Sequence, residues 1–262
     1  MHDLTIGNGD RDGVGRPILF AHRGAMAIAP ENSLQAFRLG IELGATGLES
    51  DVHLAADGTP MLVHDPVVDT VDGPVIVARA TVADLRRLGI PTLADLYGAC
   101  GTAWPLSLDI NDDRALAAAA AVIAGARRFG PSAVEGLYLC HGRVDVLAAI
   151  ASASPDVTLV HSAGDEVLGT LEAHARYLRT IGVRVLNLDH ADWGRTGQAA
   201  EAVATVHGAG CLAFAWDTQT VQAARTMVEA GADGIYANDP RVLVAASSRG
   251  RDGGRLTRGH LR

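Results

Sequence analysis

Residues 105–129 open with Pro105-Leu106-Ser107-Leu108-Asp109-Ile110, turn through Asn111-Asp112-Asp113-Arg114, and continue as an alanine-rich stretch to Phe129. The short apolar run predicts a strand over 105–110, and the alanine, leucine and arginine that follow predict a helix over 112–129. The same pair recurs on both sides. Toward the N-terminus, strands are expected at 17–21 and 47–53, with a helix over 33–43 that sets Leu34, Phe37 and Ile41 on one face. Toward the C-terminus, strands at 136–140, 157–161, 184–188, 211–216 and 234–237 alternate with helices at 143–151, 169–181, 196–207 and 218–230. Strand–helix alternation implies a parallel sheet. Eight such strands suit a closed (β/α)8 TIM barrel of the α/β class better than an open doubly wound sheet. No G-x-G-x-x-G follows a strand, which weakens the dinucleotide-binding form of the open sheet.

The rhythm breaks once, over 54–92. Asp57-Gly58 is a hairpin-type turn, Pro60–Val63 leads to His64-Asp65, and a short helix is expected over Val82–Leu88. This reads as a small insertion after the second strand, at the mouth of the barrel. The expected organisation is a flexible N-terminus at 1–15, one barrel domain at 16–245 and a disordered basic tail at 246–262, where five of the arginines lie.

Composition narrows the function. The 262 residues carry a formal net charge of −8, which argues against a nucleic-acid surface. Every basic residue apart from histidine is arginine, since the chain has no lysine. The three cysteines are odd in number and widely spaced, so neither a disulfide framework nor a cysteine zinc site is expected. No apolar run reaches the roughly 18–20 residues of a membrane helix. The start lacks a signal-peptide pattern, so a cytoplasmic location is the expectation.

Chemistry concentrates early. Glu49, Asp51 and His53 alternate with Leu48, Ser50 and Val52, so a strand turns the first three toward one face. In a barrel that face is interior, and the C-terminal strand ends line the active site. Two buried carboxylates repel, and a divalent cation removes that cost; hard oxygens favour Mg²⁺ or Ca²⁺. Asp109, at the next strand end, is the third candidate ligand. Asp112 and Asp113 are expected to cap the following helix. His22 ends the first strand and His64 closes the insertion, and two imidazoles suit an acid/base pair near neutral pH. Arg23 offers a planar fork for phosphate oxygens. Asn32 or Ser33 is expected to cap the first helix, and Glu31 either holds Arg23 or sits near the metal.

Taken in order, His22-Arg23-Gly24, Pro30-Glu31-Asn32-Ser33, Glu49-x-Asp51-Val52-His53, Asp57-Gly58 and His64-Asp65 resemble the signature of the glycerophosphodiester phosphodiesterase family. Ile90-Pro91-Thr92-Leu93, Trp216, Gly231-Ala232-Asp233-Gly234-Ile235 and Asp239-Pro240 resemble its later motifs. The resemblance runs over about 17–243. It implies a TIM barrel with a small insertion, a divalent metal, and hydrolysis of glycerophosphodiesters to glycerol 3-phosphate and an alcohol. By position it assigns His22 and His64 to acid/base work, Glu49, Asp51 and Asp109 to the metal, and Arg23 to the phosphate. The implied path has a substrate hydroxyl attack phosphorus, giving a cyclic phosphate that water opens. The partner implied is a small phosphodiester.

Two positions depart from the family's Asn-x-Glu-x-Lys on the third strand, which here is Ser107-x-Asp109-x-Asn111. The acid is one methylene shorter and the lysine is missing; Arg143, after the fourth strand, is the candidate replacement. Trp216 is expected either to stack on the substrate or to pack in the barrel top. His141, His161 and His190 follow strands and face the same end, while Trp104 and Trp193 are expected to pack. Two other readings stay open. One is a related phosphodiesterase acting on lysophospholipids or sugar phosphodiesters. The other is a barrel that binds phosphorylated ligands without turnover.

Overall fold

The structure, a computed structural model, describes residues 16–195 and 197–248. The segments 1–15 and 249–262, which hold the expected flexible N-terminus and most of the expected basic tail, lie outside the described residues. Eleven strands occur among those described. They are β1 (Ile18–Ala21), β2 (Gly47–Leu54), β3 (Pro60–Leu62), β4 (Val67–Val68), β5 (Val75–Ile76), β6 (Leu106–Ile110), β7 (Leu137–His141), β8 (Thr158–Ser162), β9 (Val185–Asp189), β10 (Leu212–Trp216) and β11 (Gly234–Ala237).

Eight of them pair in parallel in the order β1-β11-β10-β9-β8-β7-β6-β2, and β1 pairs with β2 to close the ring. The expected TIM barrel is therefore the fold. Each of the eight expected strands is present, displaced by no more than one residue at either end. Alternation along the strands builds two layers of packing. One set of residues points inward, where Phe20, Tyr138, Phe214 and Tyr236 fill the lower barrel, the rings of Phe20 and Tyr236 stacked 4.6 Å apart. The other set points outward and meets the helices, as Leu48, Leu108, Leu139 and Leu186 do. At Gly47 an added Cβ would lie 2.7 Å from side-chain atoms of Ile18 and Phe20, so only glycine lets β1 and β2 meet at the seam.

The insertion is a hairpin followed by a small sheet. β3 runs antiparallel to β2, and β4 pairs with β5. Ala55, Met61, Val77, Leu85 and Ile90 form its own apolar cluster, and the expected short helix spans Val82–Arg87.

Several elements depart from the expectation. A helix at Leu93–Cys100 supplies the second crossover. Its signal was present in Thr92-x-x-Asp95, which forms a capping box, and in Leu93, Leu96 and Tyr97, all buried on one face. Short helices also occupy Pro131–Glu135 and His190–Arg195. The last helix, Pro240–Ser247, carries the barrel two residues past the expected boundary at 245. Asp112 and Asp113 do not cap the long helix, which starts at Ala115 with no side-chain cap. Asp112 instead accepts the backbone N–H groups of Leu54 and Arg114, tying β2 to the loop after β6. Ser33, one of the two expected caps, holds the Ala36 N–H. The three cysteines are free, as expected.

Candidate active site

The inward residues at the C-terminal ends of the strands converge on one cavity of about 580 Å³. His22 and Arg23 after β1, Glu49 on β2, Asp109 on β6, Ser162 on β8, Asn187 on β9, Trp216 on β10 and Asn238 after β11 line it. Trp216 is 41% exposed, so it belongs to the cavity wall and not to the barrel core.

Register explains how the acids meet. Asp51 and Asp109 are direct neighbours across β2 and β6, and Glu49 lies two residues below Asp51 on the same face. Oxygen atoms of Glu49, Asp51 and Asp109 all lie within 4.8 Å of one another. Two of the three acids are held by amide donors. The Glu49 carboxylate accepts the Arg23 N–H at 2.8 Å. Asp51 accepts from Asn111 Nδ2 at 2.9 Å on one oxygen and from Asn32 Nδ2 at 3.3 Å on the other. Asn32 is fixed in turn by the Ser50 hydroxyl at 2.6 Å.

Burial and mutual repulsion leave Glu49 and Asp109 short of compensation. Burial first, then the Asp51 and Asp109 charges, push Glu49 well above the usual carboxylate range. Burial, with Asp51 second, pushes Asp109 up to about 6. A cluster of hard, converging oxygens whose like charges are unrelieved fits a divalent cation such as Mg²⁺ or Ca²⁺. A second group, Asp189, His190 and Asp217, lies at the β9–β10 side of the same end and is more open to solvent.

The two expected histidines differ in setting. His22 Nδ1 lies 2.7 Å from Asn238 Oδ1, an acceptor, so Nδ1 carries the hydrogen and Nε2 is the free base. That Nε2 stands 3.7 Å from Glu49 Oε2. Burial lowers the His22 pKa and keeps the ring neutral near pH 7. Asn238 is itself fixed by Gln219, whose side chain donates to Oδ1 and accepts the Asn238 N–H. His64 sits in the insertion with its side chain 40% exposed, and its Nδ1 meets Asp65 at 2.9 Å. Asn238 and Gln219 were not singled out in the sequence, although Asn238 directly precedes Asp239-Pro240.

Arg23 is gripped before any ligand arrives. Its Nη1 meets Glu31 at 2.9 Å, so Glu31 holds the arginine. Its Nε is buried 3.2 Å from Asp51 Oδ2, at an angle that makes no hydrogen bond. Arg23, Asn32 and Asp217 have positive φ of 48°, 54° and 58°, an uncommon conformation for side-chain-bearing residues. All three border this end of the barrel, where such strain tends to collect.

Other expected residues lie elsewhere. Arg143 does not replace the missing lysine. It pairs with Asp145 in a separate groove between the loops after β6 and β7, because its side chain leaves on the outer side of that loop. His141 lines that groove and accepts the Arg143 N–H. His161 points outward from β8 and meets His174 at 3.0 Å. Trp193 packs as expected, fully buried, its Nε1 donating to the Phe214 carbonyl.

The sequence model of the glycerophosphoryl diester phosphodiesterase family matches residues 22–242. The chain is 42% identical over 91 residues to the probable glycerophosphodiester phosphodiesterase 1 of Mycobacterium tuberculosis, a stretch covering 34% of this chain and 31% of that protein. It is 34% identical over 100 residues to the glycerophosphodiester phosphodiesterase of Caldanaerobacter subterraneus, covering 33% of this chain and 41% of that one. The chain thus spans well under half the length of these relatives. Its fold is similar to the crystal structure of glycerophosphodiester phosphodiesterase from Thermotoga maritima, with a TM-score of 0.75 at 23% identity over 88% of this chain and 98% of that one. It is equally similar, at 0.75 and 19% identity over 88% and 96%, to a phosphodiesterase from Oleispira antarctica in complex with the product sn-glycerol-3-phosphate.

Proposed function

Because the chain belongs to the glycerophosphoryl diester phosphodiesterase family, we propose that it hydrolyses glycerophosphodiesters to glycerol 3-phosphate and an alcohol. The observation that carries this reading is the meeting of Glu49, Asp51 and Asp109 beneath the free Nε2 of His22 at the mouth of the barrel. The glycerol phosphate bound by the Oleispira antarctica phosphodiesterase supports the same substrate class.

In this reading Glu49, Asp51 and Asp109 hold one Mg²⁺ or Ca²⁺. When bound, that ion would supply positive charge that offsets the charge developing on the phosphate and the attacking hydroxyl. His22 takes the proton of the attacking substrate hydroxyl at Nε2, the only ring nitrogen that Asn238 leaves free. The new bond closes a cyclic phosphate and expels the alcohol, to which His64 delivers a proton. Asp65, on His64 Nδ1, orients that ring and balances its charge. Water then opens the ring with the two roles exchanged. Arg23 steadies the phosphate with whatever donors Glu31 leaves free. Trp216 offers an apolar face to the carbon skeleton of the substrate.

The test is release of glycerol 3-phosphate from glycerophosphocholine and from glycerophosphoethanolamine, measured with Mg²⁺ or Ca²⁺ and again with EDTA. We expect turnover that EDTA abolishes and that His22→Ala reduces by roughly 10²–10⁴-fold with the fold intact by circular dichroism. Turnover that survives both treatments would falsify the assignment. Turnover confined to other diesters would move it to a different substrate.

A further inference from the structure

His53 is the one member of the alternating set on β2 that the proposed reaction does not use. It is 5% exposed, and its ring is not part of the cluster of Glu49, Asp51 and Asp109. Its Nε2 lies 3.0 Å from the backbone carbonyl oxygen of His64. A carbonyl accepts and cannot donate, so Nε2 carries a hydrogen and gives it to that oxygen. One histidine thus holds the main chain of another.

The elements explain why the bond falls there. β3 pairs with β2 as far as Leu62, opposite Val52. One more bond follows, from the Val63 N–H to the Asp51 carbonyl, and the chain then leaves the sheet at His64. Among the described residues His64 has two hydrogen-bond partners, Asp65 at its ring and His53 at its carbonyl. The second is its tie to the barrel. The strand end that carries His53 is itself clamped. Asp112 accepts the Leu54 N–H at 2.7 Å, and Arg114 donates to the Leu54 carbonyl at 2.9 Å. Asp112 Oδ2 also stands 4.0 Å from His53 Nδ1.

The peptide unit between His64 and Asp65 is planar, so a bond to its oxygen fixes that plane and the Cα atoms at both of its ends. Those two Cα atoms carry the imidazole and the carboxylate that meet at 2.9 Å. Pinning one oxygen therefore aims the pair together. The His64 side chain is 40% exposed, so packing gives it little of this guidance. Resting on the reading of His64 as the group that protonates the leaving alcohol, we propose that His53 is a positioning residue for His64. It couples the insertion to the strand that bears Glu49 and Asp51, and so sets where the acid stands over the phosphate.

The experiment exploits the leaving group. Ethanolamine needs a proton as it departs, whereas para-nitrophenolate leaves as a stable anion and needs none. Values of kcat/KM are measured for glycerophosphoethanolamine and for the para-nitrophenyl ester of glycerol 3-phosphate, with the wild type, His53→Leu, His53→Gln and His64→Ala. We expect His53→Leu to lose about 10–100-fold on glycerophosphoethanolamine and less than about threefold on the nitrophenyl ester. His53→Gln places an amide N–H near the position of Nε2 and is expected to recover most of the loss. Equal losses on both substrates, no loss on either, or no recovery with glutamine overturns the proposal. If His64→Ala loses no more on glycerophosphoethanolamine than on the nitrophenyl ester, the acid reading of His64 falls and this inference with it. If His64→Ala discriminates and His53→Leu does not, the inference alone falls. Should His53→Leu fail to fold by circular dichroism, His53→Phe is measured in its place and judged by the same comparison.

Discussion

An imidazole becomes a base only when something decides which nitrogen keeps its hydrogen. Under the proposed mechanism the decision falls to Asn238, which follows β11, the strand that flanks β1 on the side opposite β2 with its Glu49 and Asp51. Removing that acceptor frees the ring to present the wrong tautomer. We expect Asn238→Leu to lower kcat by about 10–100-fold, with KM changed much less, because outer partners of this kind typically carry that share of activity. Unchanged kcat in steady-state kinetics would show that His22 does not depend on Asn238. Sequence alone could find His22, Glu49 and Asp51, because strand alternation fixes their face. It could not find Asn238 or Gln219, since their value lies in a contact across 216 residues. Arg143 misled for the converse reason. It sits beside a strand end, but the turn it occupies sends the side chain to Asp145 and away from the cavity. Asn111, found where the family resemblance implies a lysine, is turned onto Asp51 and supports a carboxylate instead.

At the level of elements, the barrel strands were readable because both of their faces are buried, which makes each a dense apolar run. The helix Leu93–Cys100 was harder to read. It is short, and it follows an insertion whose return strand and turn residues mask its start. Its anchor is the reciprocal pair of Thr92 and Asp95, and Arg86 adds two bonds to Asp95 from the insertion. Asp95 therefore joins insertion to barrel as well as completing the capping box with Thr92. We expect Thr92→Ala to cost about 1 kcal/mol, the usual worth of a cap. That corresponds to a fall of roughly 2–4 °C in Tm for a domain of this size. Thermal unfolding with no loss would show that the box contributes nothing beyond the surrounding packing.

For the molecule as a whole, the acid cluster makes stability depend on pH, and under the proposed function on metal as well. The Asp109 carboxyl has its pKa raised from 3.8 to about 6 by folding. Between those values the folded chain keeps a proton that the unfolded chain has released. Stability of the metal-free protein therefore falls as pH rises through this window. Glu49 shifts in the same direction and adds to the effect. We expect the Tm of EDTA-treated protein to drop between about pH 4 and pH 7, once the contributions of other groups are removed by comparison with Asp109→Asn. Added Mg²⁺ or Ca²⁺ should recover it most at the upper end, where the acids are ionised and bind best. A Tm difference between the two proteins that does not vary with pH would remove the claim that these carboxyls are strained. The seam of the barrel has a consequence of another sort. β1 pairs with β11, and His22 is completed by Asn238 just beyond that last strand. A chain extended only through β10 carries both histidines and all three acids but not the amide that meets His22 Nδ1. Under the proposed mechanism the tautomer of the base is therefore set only once β11 has paired with β1 and brought Asn238 to His22.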